Sequence, residues 1–524
     1  MTAMRALIEL QTHIVTRNDA SQLYMATIEG TCNLLAVTPT ESLPVVVSAL
    51  SNFIKFSSDS ANGANGANGG GGGGSNAATN IASVIESHLT PILVNVWSAN
   101  ASNPYLCETI VDVFQSIASN PSALPGLQLR LLPTLCNLVG NHTTNISGVV
   151  EYALDLMTVI SRSMNGTELS IDYLNVALPC VLNFMQTSED NAGLCSGTNC
   201  LSAIVYAAPT NLKNCHNGAA VENMLSVISR LLSVTFSQQG AIRVGSLGMQ
   251  LMKCCNDSIT TETMTQLVQA MVVRLDHSTT IDLTESIVVF FARLMHLNLN
   301  TIVTLLTSMT ITCKNGSTKS GFVVLMERWT MEQPSFSGKF QVKVTLLALA
   351  SLYTSYGTQI ASIQVNGDIK IDVSEKRRTR SQGKKKTEYV MVPLPLKMVT
   401  LLLRAVDEPE EAYGEEEEEG MSGNNGNNGG GSMSSGIFAP AEDFEEFMLS
   451  DMGGPGFWDD EEEEDGNETM DIVEDPLYLI DLQKELLNFF KARSIDEMNG
   501  LGNALGHEDQ QRLVGIGQLL LGNT

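Results

Sequence analysis

Four short apolar segments, each carrying a proline, recur at nearly constant spacing, and no other feature constrains the fold of this chain so strongly. They are LPVVVSAL from Leu43, TPILVNVW from Thr90, LPTLCNLV from Leu132 and LPCVLNFM from Leu178; their prolines, Pro44, Pro91, Pro133 and Pro179, stand 47, 42 and 46 residues apart. Proline is accommodated in the first turn of a helix, where its missing N–H costs no hydrogen bond, so each is expected near a helix start. Between these segments lie partner sequences such as YLCETIVDVFQSIAS and GVVEYALDLMTVISR. In the second, Val149, Ala153, Leu156, Met157 and Ile160 fall on one helical face.

Two helices per unit of about 40–47 residues is the pattern of HEAT and armadillo repeats. One such unit has too little core to stand alone, so neighbours stack and bury a shared interior. The expected fold is all-α, a right-handed solenoid of HEAT repeats with roughly nine helical pairs and long disordered inserts. The pattern continues less regularly through NMLSVISRLLSV, QLVQAMVVRLD, ESIVVFFARLMHLNL and KVTLLALASLY. The expected organisation is HEAT repeats over 1–58, a flexible Asn/Gly-rich insert over 59–80, and HEAT repeats over 81–360. A basic inter-repeat loop over 361–392, a HEAT helix over 393–406, an acidic disordered loop over 407–475 and C-terminal HEAT helices over 476–524 follow. The glycines of 59–80 read as a spacer; no Gly-Lys-Ser/Thr follows them as a phosphate loop would require. In EDPLYLIDLQKELLNFF, Asp475 reads as a helix cap with Pro476 at the first helical position.

Charge is segregated. Of 57 acidic and 30 basic residues, 31 acids but only 5 bases fall in residues 401–524, and the first 400 residues are nearly neutral. The acids concentrate in two runs, Glu415, Glu416, Glu417, Glu418 and Glu419, then Asp459, Asp460, Glu461, Glu462, Glu463, Glu464 and Asp465. Carboxylates packed so densely stay solvated, so the tract is an interaction tail for something positive or a solubilising one. A nucleic-acid backbone is excluded as its partner and a basic protein favoured. Phe457 and Trp458, directly before the second run, are candidate anchors on such a partner or docking points back on the solenoid.

The opposite charge gathers in EKRRTRSQGKKK, with seven Lys/Arg between Lys376 and Lys386. Three readings stay open here: a nuclear localisation signal or phosphate contact, a solvated loop, or a contact to an acidic patch on the same partner. Arginine's planar fork suits carboxylates, which singles out Arg377, Arg378 and Arg380.

Catalytic patterns are not found. There is no G-x-S-x-G, no H-E-x-x-H and no Walker sequence, and the seven histidines are scattered from His13 to His507. No enzyme, cofactor or metal site is expected. The ten cysteines sit in apolar helical stretches without the paired spacing of zinc ligands and read as reduced core residues of an intracellular protein. No signal-peptide pattern opens the chain, and no window reaches the ~20 apolar residues needed to cross a bilayer.

Several motifs occur in a collinear order that resembles a known family. RLLPTL (Arg130–Leu135) precedes a HEAT helix, DNA (Asp190–Ala192) opens a later unit, and WT (Trp329–Thr330) precedes GKFQVKV (Gly338–Val344). RTRS (Arg378–Ser381), PLK (Pro395–Lys397), the acidic insertion and DPLYLIDLQ (Asp475–Gln483) follow. Over most of residues 80–515 this is similar to the C-terminal half of the β-karyopherins, the importin-β family of nuclear transport receptors. The Asn/Gly inserts and the run Lys384–Lys386 depart from that pattern.

The resemblance implies a receptor that wraps core histones, ribosomal proteins or other basic cargo and carries them into the nucleus, shielding their nucleic-acid-binding surface as a chaperone. It further implies Ran-GTP and nucleoporins as partners and shuttling between cytoplasm and nucleus. Ran-GTP contacts belong to N-terminal repeats, so a chain of this length is expected to be half of such a receptor. The rival expectation is a HEAT scaffold in a phosphatase or chromatin complex, or a nucleic-acid-binding solenoid acting through Lys376–Lys386.

Overall fold

The computed structural model describes residues 29–51 apart from 36, residue 54, and residues 75–100, 103–144, 147–164, 168–369, 389–407 and 475–522. Residues 29–35 and 43–51 are helical. After them come α1 (Ser75–Ala99), α2 (Pro104–Ala118), α3 (Leu124–Gly140), α4 (Ser147–Arg162), α5 (Ile171–Thr187) and α6 (Asn191–Ala207). The short α7 (Pro209–Asn214) leads to α8 (Ala220–Leu231), α9 (Val244–Cys255), α10 (Thr261–His277) and α11 (Ile281–Ser308). A hairpin of β1 (Thr310–Thr312) and β2 (Thr318–Ser320) precedes α12 (Gly321–Glu332) and α13 (Lys339–Tyr356). A second hairpin, β3 (Gln364–Ile369) with β4 (Tyr389–Pro393), runs into α14 (Leu394–Asp407); α15 (Leu482–Lys491), α16 (Ile495–Ala504) and α17 (His507–Gly522) end the described chain.

The helices alternate between two rows, as a stacked helical repeat requires. The first row is α1, α3, α5, α8, α10, α12 and α14; the second is α2, α4, α6, α9, α11, α13 and α15. One continuous core runs between the rows from Leu35 to Ile516. The all-α solenoid expected from the sequence is the fold observed. Val149, Ala153, Leu156, Met157 and Ile160 of α4 are all buried. Among the described residues, helices begin at side-chain caps from Asn103, Ser170, Thr260, Ser320, Asp481 and Ser494, each accepting from a backbone N–H three residues on.

Within the second row, α4 and α6 pack against each other most extensively. Small residues allow the approach. A Cβ on Gly245 of α9 would overlap the Ser286 carbonyl of α11, so only glycine lets these backbones meet. Gly248 faces the side chains of Met271 and Phe290, which a Cβ there would meet at 3.2 Å.

Pro44 stands in the first turn of helix 43–51 as expected, but the other three prolines of the repeat are placed differently. Pro91, Pro133 and Pro179 lie inside α1, α3 and α5, whereas Pro104, Pro125 and Pro209 occupy the first turns of α2, α3 and α7. Each internal proline is exposed on the outer side of its helix, where the carbonyl it leaves without an N–H partner meets water. The period was a property of the repeat; only at Pro44 does the proline also mark the helix start.

A second periodic device is the stitching of successive first-row helices by arginine. Arg230 of α8 donates to the carbonyls of Met185 and Ser188 at 2.6 and 2.7 Å, where α5 ends. Arg274 of α10 does the same past the end of α8, to Ser233, Phe236 and Ser237 at 2.9, 2.9 and 3.2 Å. Arg328 of α12 reaches Ser278 O, at the end of α10, at 3.1 Å. Carbonyls past a helix C-terminus carry partial negative charge and lack intrahelical partners, so a guanidinium fork satisfies several at once.

Helix α11 is, among the described residues, the one long and apolar enough by composition to cross a bilayer, which the sequence windows did not anticipate. It is interrupted at Asn298, whose backbone is extended (φ −157°, ψ 86°), and it packs between α9 and α13 with Phe290, Phe291, Leu294 and Met295 buried. It is a core helix of the array.

Candidate interaction surface

All the residues singled out in the sequence for partner binding lie outside the described residues: Arg377, Arg378 and Arg380, the runs Glu415–Glu419 and Asp459–Asp465, and Phe457 and Trp458. The structure shows instead the ground in which both charged segments are rooted.

The ends of the segment expected as a basic loop are paired strands rather than loop. Val365 opposes Val392 and Ile369 opposes Tyr389, with an irregularity between Asn366 and Ile369. Gly367 sits at that irregularity, where a Cβ would press on the Val390 carbonyl. The hairpin folds back along α14, because Asp368 of β3 reaches Arg404 in the last turn of that helix, at 3.7 Å. Ile369 and Asp407, the last described residues before the basic and acidic segments, therefore lie at the same edge of the array.

Arg404 holds this edge together. Its Nε and Nη2 donate to the two carboxylate oxygens of Asp509 on α17 at 3.2 and 3.1 Å. Burial opposes the charge on Arg404, but the Asp509 hydrogen bonds and the fields of Asp509, Asp368 and Glu508 prevail, raising its pKa above the ordinary guanidinium value. Lys397, one turn into α14 and buried, is pushed the other way, chiefly by desolvation.

The chain re-enters the described structure at Asp475, and here the expected helix cap is corrected. Asp475 accepts from Leu477 N at 3.0 Å in a local turn, and residues 475–480 form turns rather than helix. The cap of α15 is Asp481, which accepts from Lys484 N at 2.9 Å. Asp475 is instead bound by Arg293 of α11. Burial raises its pKa, yet the bonds from Arg293 and Leu477 and the charges of Arg293 and Lys253 outweigh that, leaving it below the usual carboxylate value. Farther along, Lys343 of α13 donates to Tyr478 O at 3.1 Å and Phe340 packs on the Tyr478 ring. Residues 475–480 thus strap across α11 and α13 on the second-row face.

That same face carries acidic side chains at its other end. Glu108 and Asp112 are exposed on α2; Glu151 and Asp155, each 43 residues later, are half-buried on α4. Burial acts first to raise the pKa of Tyr152, and Cys107, Glu108, Glu151 and Asp155 beside it add to the rise. The signal was present in the sequence as an i, i+4 acid pair repeated at the repeat period, obscured by the far denser acidic tract. Among the described residues no group of three or more His, Cys, Asp or Glu is placed to hold a metal ion. What the surface offers is charge and shape.

Comparison with known proteins agrees with this architecture. The family model described as CAS/CSE protein, C-terminus, matches residues 75–363. Importin subunit beta-5 of Schizosaccharomyces pombe is 24% identical over 501 residues, 94% of this chain and 47% of that protein. Importin-9 of Drosophila melanogaster is 22% identical over 338 residues, 63% of this chain and 32% of that protein. Importin subunit beta-5 of Saccharomyces cerevisiae is 22% identical over 278 residues, 52% of this chain and 27% of that protein. The chain spans less than half the length of the curated relatives it matches. With more than half of its residues matched by the family model, and with the two-row helical array on which that match falls, the chain belongs to the CAS/CSE family of importin-β-type proteins.

Proposed function

We propose that this chain is the cargo-holding part of a nuclear transport receptor and that its cargo is basic protein, core histones or ribosomal proteins among them. The observation that carries this reading is the repeated acid pair, Glu108 with Asp112 and Glu151 with Asp155, on neighbouring helices of the second row. Carboxylates clustered on one stretch of surface attract a ligand of the opposite sign.

The acidic tract extends the same chemistry. Its 25 carboxylates between Asp407 and Asp475 would cover cargo lysines and arginines much as DNA phosphates do, and so keep nucleic acid off them. Arg377, Arg378 and Arg380 would meet an acidic patch of that cargo. Family resemblance supports Ran-GTP and nucleoporins as partners of such a receptor, with shuttling between cytoplasm and nucleus.

Competition tests the proposal. The full chain, added to core histones bound to labelled duplex DNA, is expected to take up the histones and free the DNA at physiological salt. A chain that leaves the DNA bound and recovers no histone is not a receptor for this cargo. A chain that itself takes up the DNA points to the nucleic-acid-binding alternative.

A further inference from the structure

The helices α3 and α5 are neighbours in the first row, and each presents one half-buried cysteine to the other: Cys136 and Cys180. Cys180 Sγ donates to the Cys136 carbonyl oxygen at 3.2 Å. Cys136 Sγ lies 3.8 Å from the Val176 carbonyl, one turn back on α5. Each thiol therefore rests against the backbone of the other helix. All ten cysteines of the chain are thiols in this structure, and five of them (Cys107, Cys200, Cys215, Cys255 and Cys313) are core residues. Cys136 and Cys180 are different in being half-accessible and in sharing a hydrogen bond across a repeat boundary.

We propose that Cys136 and Cys180 form a peroxide-responsive pair whose oxidation to a disulfide locks two adjacent repeats together. The hydrogen bond from Cys180 favours the thiolate on Cys136, lowering its pKa, whereas the same interaction and burial raise that of Cys180. Attack by Cys136 with Cys180 resolving is one order, and the reverse order gives the same disulfide. The Cys136 thiolate attacks one peroxide oxygen, the O–O bond breaks, and hydroxide leaves to become water with a proton from solvent, giving a sulfenic acid. The Cys180 sulfur then displaces the sulfenic oxygen, forming the S–S bond, and the proton it surrenders leaves with that oxygen as a second water. Two thiols lose two electrons and two protons, and one hydrogen peroxide becomes two waters.

The consequence lies in the array. A solenoid adapts its curvature by small rotations between repeats, and a covalent bridge between α3 and α5 removes one of those rotations. The bridge leaves the second-row face unobstructed, so its effect is on the shape that face can take.

The test uses the full chain treated with hydrogen peroxide, quenched with iodoacetamide and digested without reductant. The expected product is a peptide joining Cys136 to Cys180, reversed by dithiothreitol and missing from both Cys136→Ser and Cys180→Ser. Hydrogen exchange across α3–α5 is expected to slow several-fold in the oxidised wild type and to stay unchanged in the variants. Full alkylation of both cysteines after peroxide treatment overturns the proposal, as does a bridge that forms only between molecules. Serine is close in size to cysteine, and an unchanged far-ultraviolet circular dichroism spectrum establishes that the variants fold.

Discussion

Arg293 on α11 donates a hydrogen bond to the carboxylate of Asp475, a residue 182 positions further along the chain. This contact returns the acidic segment to the second-row face, and both partners are largely shielded from water, with side chains 16% and 4% exposed. Breaking one half of a shielded ion pair leaves the other charge uncompensated.

Asp475→Asn is therefore expected to free residues 475–480 from α11 and α13 at a local cost of about 3–5 kcal/mol. The measurement is limited proteolysis or hydrogen exchange at 475–481, with the α2–α6 region as internal reference. Equal protection in wild type and variant means that Lys343 and Tyr478 hold the strap without the ion pair.

The same contact sets a pH dependence. The folded carboxylate of Asp475 titrates below its unfolded counterpart. Its stabilisation is thus complete above the unfolded carboxylate pKa and disappears as pH falls through the depressed folded value. Strap protection in the wild type should decline across that acidic window, and in Asp475→Asn it should be flat there.

Arg274 is almost completely buried and its guanidinium is met by three backbone carbonyls. Arg274→Met keeps the bulk but orphans those carbonyls, and is expected to cost about 2–4 kcal/mol, the scale of several hydrogen bonds to a charged group less the relief of desolvation. Thermal unfolding should begin at lower temperature, with exchange rising first at residues 233–237. Arg230→Met should act similarly one repeat earlier, at 185–188.

Gly245→Ala tests the close approach of α9 and α11. Because the added methyl meets the backbone at Ser286 and no flexible side chain can yield, we expect a loss of about 1–3 kcal/mol. In contrast Gly515→Ala on α17, with open space around it, should be neutral or slightly stabilising. Similar melting curves for the two variants would show that the helices separate freely.

Much of the fold was legible because the repeat writes its period into the chain. The face Val149, Ala153, Leu156, Met157 and Ile160 needed only helical spacing to be found, and it is buried as a unit. The prolines misled because a helix interior tolerates proline wherever the lost hydrogen bond faces water, which no local pattern announces. Asp475 and Asp481 both stand in cap-like settings, and only the position of Arg293, far away in sequence, decides which one caps α15. The arginine stitches are long-range for the same reason. The acid pairs Glu108/Asp112 and Glu151/Asp155 were readable from spacing, yet charge counting drew attention to the tract, whose residues lie outside those described.

Basic cargo held on the second-row face is the central claim, and the salt dependence of binding tests it most directly. The affinity of the full chain for a core histone heterodimer would be measured from low to physiological salt for the wild type and for Glu108→Gln/Asp112→Asn/Glu151→Gln/Asp155→Asn. Engagement of this face predicts wild-type binding that weakens steeply with salt, and a variant that folds normally but binds at least tenfold more weakly with a shallower slope. A variant with wild-type affinity and wild-type slope would contradict it.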